Sequence, residues 1–216
     1  MRKRSPRSYQ LEHYVKKHFS LYIFTIILFV MGVVFGSLII HTLSLVQKEE
    51  MVSYLSQFFH GISDNGEKWL TAQTTVQQVV FENIKYILLI WFLGLSIIGV
   101  PIIFLLLFMK GFVIGFTVSF LVSQLEWKGF LFSVVSIVPQ NLIIVPTFIV
   151  AAVAGAVFSV SLIKSRIKQQ HNNEFPSFTS YSILMAVLAG ILVAASGFEA
   201  YISPYLMKTA ASFLIQ

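Results

Sequence analysis

Cysteine is absent from the 216 residues, which excludes disulfides, thiolate nucleophiles and thiolate metal sites. Charge is scarce as well. Asp, Glu, Lys and Arg together make up 11% of the chain, too little to coat an ordinary water-soluble domain. The histidines, His13, His18, His41, His60 and His171, are scattered and form no His-Glu-x-x-His pair. A P-loop, a Gly-x-Ser-x-Gly elbow and a dinucleotide fingerprint are all missing. Serine and threonine are plentiful, but no charged base stands beside them. The expectation is a non-enzymatic chain without cofactor or metal.

Apolar sequence dominates instead: 56% of residues are hydrophobic and the mean hydropathy is +0.81. These values indicate a polytopic membrane protein, an all-α bundle, since helices satisfy their own backbone within lipid. The net charge of +6 lies beside the apolar runs. Arg2, Lys3, Arg4, Arg7, Lys16 and Lys17 precede the first run, and Lys164, Arg166 and Lys168 follow the fourth. Charge so placed is a membrane-topology signal, so no nucleic acid is expected as a partner.

About five transmembrane helices are predicted, in a single domain over 21–216 behind a basic cytoplasmic segment, 1–20. Leu21 to Ile40 is long enough to span and lacks a small-residue cleavage site, so it reads as a retained helix. Gly32 and Gly36 stand one turn apart in it and permit close helix approach. Residues 43–85 form the longest polar stretch, with Met51, Leu55, Phe58, Phe59 and Ile62, then Trp69, Leu70, Val76, Val79 and Val80, at helical spacing. Two amphipathic helices lying on the membrane face, turned at Ser63-Asp64-Asn65-Gly66, are expected here. This extracytoplasmic hairpin, with Glu49, Glu50, Phe58, Phe59 and Trp69, is the candidate partner surface.

Tyr86 to Leu125 would make a helix of about 60 Å, two bilayer thicknesses. A turn is expected at Lys110-Gly111, with Pro101 kinking the first arm and Gly111 and Gly115 packing the second. Gly129 to Ile163 carries no ionised side chain and is again too long for one crossing, at roughly 50 Å. It is expected to break at Pro139-Gln140-Asn141, ahead of Pro146, with Gly129–Val138 as a half-helix elbow. Two readings of the paired carboxamides stay open: a site for a polar ligand, ion or partner, or interhelical glue. Phe178 to Ser203 gives the last span, with a tail from Pro204. Glu199 near its outer end reads as an interfacial acid. With the N-terminus in the cytoplasm, Lys and Arg favour the inside by ten to five, Lys110 counted inside and the C-terminus placed outside.

The ordered motifs resemble the stage II sporulation protein M family over essentially the whole chain. They are Ser20-Leu21-Tyr22-Ile23-Phe24, Met31-Gly32-Val33-Val34-Phe35-Gly36 and Gln47-Lys48. Lys110-Gly111-Phe112-Val113-Ile114-Gly115-Phe116-Thr117, Trp127-Lys128-Gly129 and Pro139-Gln140-Asn141-Leu142-Ile143-Ile144-Val145-Pro146 follow in order. Where the wider family carries Pro-His-Gly…Glu-x-Pro, this chain lacks both the histidine and the acid. The resemblance implies a mother-cell membrane protein of the sporulation septum that acts in engulfment. It further implies a scaffold for two peptidoglycan-degrading partners, stage II sporulation proteins D and P. The lipid bilayer and a second copy of the chain are the other partners considered. The alternative is a small permease or channel component, with Gln140 and Asn141 lining a polar path behind the broken helix.

Overall fold

The computed structural model describes residues 18–64, 72–96, 98–168 and 177–215. It describes their side chains except at 55, 58–64, 72–77, 79, 136, 140, 165–168 and 198–215. Outside the described residues fall the basic segment to Lys17, Asn65 and Gly66 of the expected turn, Trp69, and residues 169–176. So do the side chains of Phe58, Phe59, Gln140 and Glu199. What is described is helical, without a strand: α1 (Phe19–Ile39), a 3-10 turn (Ile40–Thr42), α2 (Leu45–Asp64), α3 (Ala72–Gly94), α4 (Gly99–Ser136), α5 (Val138–Lys168) and α6 (Phe178–Ile215). Among these residues, four stretches are long and apolar enough to cross a membrane: Phe19–Thr42, Gly99–Val135, Asn141–Lys164 and Phe178–Gly197. The chain is an all-α, multi-pass membrane bundle.

α5 is its axis. Ala151, Ala152, Ala154, Gly155 and Ala156 give this helix a thin profile, so α3, α4 and α6 approach it closely and bury Ala151 and Ala152 completely. Contact pairs fix the helix directions. Gly155 meets Ile103 of α4 and Ile90 of α3, and farther along Lys110 and Tyr86 stand beside Phe148. Hence α3 and α5 run one way and α4 the other. Tyr181 at the start of α6 meets the end of α3, while Ser196 farther along meets Asn83, so α6 runs with α4. The pairs Phe24 with Phe104 and Ser37 with Ser119 set α1 parallel to α4. Five helices thus stand side by side in alternating order along the chain.

One expected turn moves, one expected kink is absent, and one break is found close to its expected place. The turn placed at Lys110-Gly111 lies instead between α3 and α4, where Ser96 N–H donates to Leu93 O at 3.0 Å and Gly99 N–H to Ser96 O at 3.1 Å. A Cβ on Gly99 would strike the carbonyl of Leu93, so the tight reversal depends on that glycine. Pro101 falls in the first turn of α4, where its missing N–H breaks no helical bond, and it kinks nothing. Gly111 serves close packing rather than a turn. The next reversal occurs at Glu126, at φ 51° and ψ −128°, inside the span of α4. After it, Gly129 rests against the Leu121 carbonyl, so residues 127–136 fold back as a short elbow. The break expected at Pro139-Gln140-Asn141 falls at Ile137, two residues earlier, so the expected elbow is present and Pro139 sits in the first turn of α5. α6 continues past Ser203 and Pro204 to Ile215.

The polar hairpin also divides differently. α2 begins at a capping box, in which the Ser44 N–H donates to Gln47 Oε1 at 3.0 Å and the Gln47 N–H to Ser44 Oγ at 3.3 Å. The second hairpin helix does not lie apart on the surface; it is the first half of α3, continuous through Gly94 and packed on α5 and α6.

Candidate functional site

Two parts of the bundle concentrate the residues singled out by the sequence. The first is the seam between α1 and α4. A Cβ on Gly32 would meet the backbone of Phe108 and Phe112, and one on Gly36 the backbone of Phe112 and Phe116. Reciprocally, Gly111 faces the Phe29 carbonyl and Gly115 that of Val33. Each helix therefore lays its small-residue stripe against the backbone of the other, the arrangement by which helices gain dispersion contacts in lipid. Phe24 closes over Phe104 at 5.1 Å and Phe35 over Phe108 at 6.1 Å. The Ser119 hydroxyl adds a bond to Ser37 O at 3.1 Å.

The second part is a polar layer between α3, α4, α5 and α6, most of which the sequence pattern missed. Lys110, in the middle of α4, holds its ammonium 5.0 Å from the Tyr86 ring centroid and 5.3 Å from that of Phe148. The two rings meet edge to face at 6.0 Å. Ring faces stabilise a cation away from water, so this charge is accommodated within the bundle. On the same face of α3, buried Asn83 donates from Nδ2 to Ser196 Oγ at 2.9 Å. Toward the far end, the Tyr181 hydroxyl donates to the carbonyls of Ile90 and Trp91, and Trp91 Nε1 to Ser182 Oγ at 3.2 Å. The signal for Lys110 was its charge within an apolar run; the adjacent glycine made it read as a turn.

At the Pro139 elbow the carboxamide of Asn141 turns back on its own helix. Its Nδ2 donates to Ile137 O at 2.8 Å, and its backbone N–H to the same oxygen at 3.3 Å. Pro146 lies inside α5, and the Thr147 hydroxyl bonds Ile143 O at 2.8 Å in the same turn. Pro139, Asn141 and Pro146 are thus strung along one helix and converge on no common point. On α2, Glu49 and Glu50 are exposed, as are Leu45, Val46, Val52 and Tyr54. Among the described residues α2 scarcely touches the bundle.

Among the described residues no three His, Asp or Glu side chains gather as metal ligands. What the arrangement offers chemically is rigid packing, an internal cation and an outlying amphipathic helix. A family model described as stage II sporulation protein M matches residues 25–204. No curated protein and no solved structure gives a match. With most of its length matched, this sporulation-related, multi-pass membrane chain belongs to the stage II sporulation protein M family.

Proposed function

We propose that the protein is a scaffold with no catalysis of its own. It holds the peptidoglycan-degrading stage II sporulation proteins D and P at the septum, in the mother-cell membrane, during engulfment. The observation that carries this reading is α2, a capped amphipathic helix that scarcely touches the bundle among the described residues, with Glu49, Glu50 and several apolar side chains exposed.

The basic residues orient it. In the sequence, Arg2, Lys3, Arg4, Arg7, Lys16 and Lys17 precede α1 and Lys164, Arg166 and Lys168 close α5, while Lys48 and Lys68 come between α1 and α3, Lys128 follows the α4 reversal and Lys208 comes late in α6. Lys110 and Lys85 lie along helices within the bundle and leave the count. The richer end faces the cytoplasm by the positive-inside rule, and α2 then faces the peptidoglycan. α1, α4 and α6 run outward and α3 and α5 inward, giving five crossings. Aromatic and apolar side chains on a helix so little engaged among the described residues suit a protein partner.

The test is affinity capture from sporulating cells of the full chain and of a version with Leu45–Asp64 replaced by a polar helix of equal length. Recovery of the hydrolases by the first and not by the second, both inserted equally, is expected. Hydrolases retained by the replaced version would remove α2 as the surface. Recovery of a nucleotide-binding subunit and no hydrolase would replace the scaffold with a transporter.

A further inference from the structure

α3 divides its residues between two faces. The inner one buries Asn83, Ile87, Ile90 and Gly94 against α5 and α6. The outer one exposes Gln78, Phe81, Lys85, Leu88 and Phe92, which step alternately by three and four residues, with Glu82 and Leu89 alongside. Phe81 and Phe92 are 69% and 68% exposed, so among the described residues nothing covers this stripe. Alternating steps of three and four are the spacing by which two helices interlock at a shallow crossing angle.

The stripe carries charge at a depth where lipid does not accept it. Lys110 stands over Tyr86 and belongs to the part of α4 that packs on Phe29 and Gly32, near the middle of the Phe19–Thr42 span. Lys85 adjoins Tyr86, and Glu82 lies one turn farther, within about 6 Å along the axis. About 15 Å of hydrocarbon separates that level from either interface. Ionised side chains at such depth face a partner or a wet cavity. Glu82 and Lys85 stand one turn apart on the same face, which makes the stripe complementary to itself.

We propose that two copies of the chain pair through the outer face of α3, about a two-fold axis along the membrane normal. Glu82 of each copy meets Lys85 of the other, with Phe81, Leu88 and Phe92 interlocked between them. The interface is isologous, the same patch on both subunits. α2 stays outside it, so the dimer presents two α2 helices on one side of the membrane and can engage partners bivalently. The pairing rests on α3 crossing the bilayer and is independent of which partner α2 holds.

Because the chain has no cysteine, one introduced thiol is its only thiol. Leu88→Cys in full-length protein, in native membranes and in dilute proteoliposomes, is expected to yield an oxidised dimer. Val30→Cys on α1 and Ile183→Cys on α6, both exposed, are expected to yield none. Adding Glu82→Lys or Lys85→Glu should cut the dimer at least tenfold, and combining them should restore it. Recovery of folded monomer by gel filtration separates loss of pairing from loss of folding. Equal dimer at all three cysteines, monomer alone at Leu88→Cys, or adducts of it with another protein only, would overturn the proposal. So would failure of the charge swap to restore pairing in folded protein. Labelling of Leu88→Cys by an impermeant maleimide would instead remove α3 from the membrane.

Discussion

Gly36→Ala is the smallest change that probes the α1–α4 seam. The added Cβ would lie against the carbonyl oxygen of Phe112 and close to the amide of Phe116, both backbone atoms that cannot rotate away. The helices must separate locally, and overpacking of this kind costs about 1–3 kcal/mol. Helix propensity works the other way, alanine being favoured over glycine by about 1 kcal/mol. The net expectation is a loss of roughly 0–2 kcal/mol. Gly190→Ala supplies the reference, because nothing lies within 4 Å of a Cβ at that position. There propensity acts alone, and the variant should gain up to about 1 kcal/mol. The two alanines should thus differ by the overpacking term, near 2 kcal/mol, or about 4–8 °C in midpoint for a chain of this size. Thermal unfolding in one detergent reads the difference. A cysteine pair at Ser37 and Ser119, neighbours across the seam, should also lose disulfide yield in the Gly36→Ala background. Equal midpoints for Gly36→Ala and Gly190→Ala would refute the packing argument.

Other outcomes follow from the polar layer and the reversals. Lys110→Met should insert and fold with a loss of about 2 kcal/mol or less, since methionine also packs on aromatic rings, whereas Lys110→Glu sets a carboxylate against two ring faces and should fail to accumulate. Membrane-fraction yield and unfolding midpoint distinguish the two. A double-mutant cycle of Asn83→Ala and Ser196→Ala should give a coupling of about 0.6–1.7 kcal/mol by unfolding in mixed detergents, and zero coupling would discount the bond between them. Glu126→Gly should raise stability by about 1 kcal/mol or more, because only glycine adopts φ 51° and ψ −128° without strain; an unchanged midpoint would contradict the tight reversal.

The apolar character and approximate spans were legible because the hydrophobic runs are long and their junctions charged. The glycine spacing at Gly32, Gly36, Gly111 and Gly115 was legible too, though not that the two pairs face each other, which needs the parallel direction of α1 and α4. Helix breaks were read unevenly: the one ahead of α5 was placed within two residues, the one ahead of α4 was not. Lys110-Gly111 resembles an interfacial turn, yet the reversal needs a glycine at Gly99 and a proline where no amide is required, and that combination stood eleven residues earlier. The charge and aromatic of Glu126-Trp127-Lys128 marked an interface, but nothing in them signalled a positive φ at Glu126. α3 was divided wrongly because Glu82, Asn83 and Lys85 lower its hydropathy. Its place in the bundle comes from Asn83 with Ser196 and from Tyr86 beneath Lys110, contacts between distant segments that no local window contains.

The scaffold account stands or falls on direct binding at α2. The full chain in nanodiscs would be titrated with the purified extracytoplasmic part of stage II sporulation protein P or D, alongside the Glu49→Lys/Glu50→Lys variant and the version with α2 replaced. The account predicts saturable binding to the intact chain, weakened by charge reversal and lost on replacement. Absence of binding to a folded, inserted chain by both hydrolases, or binding indifferent to α2, would contradict it.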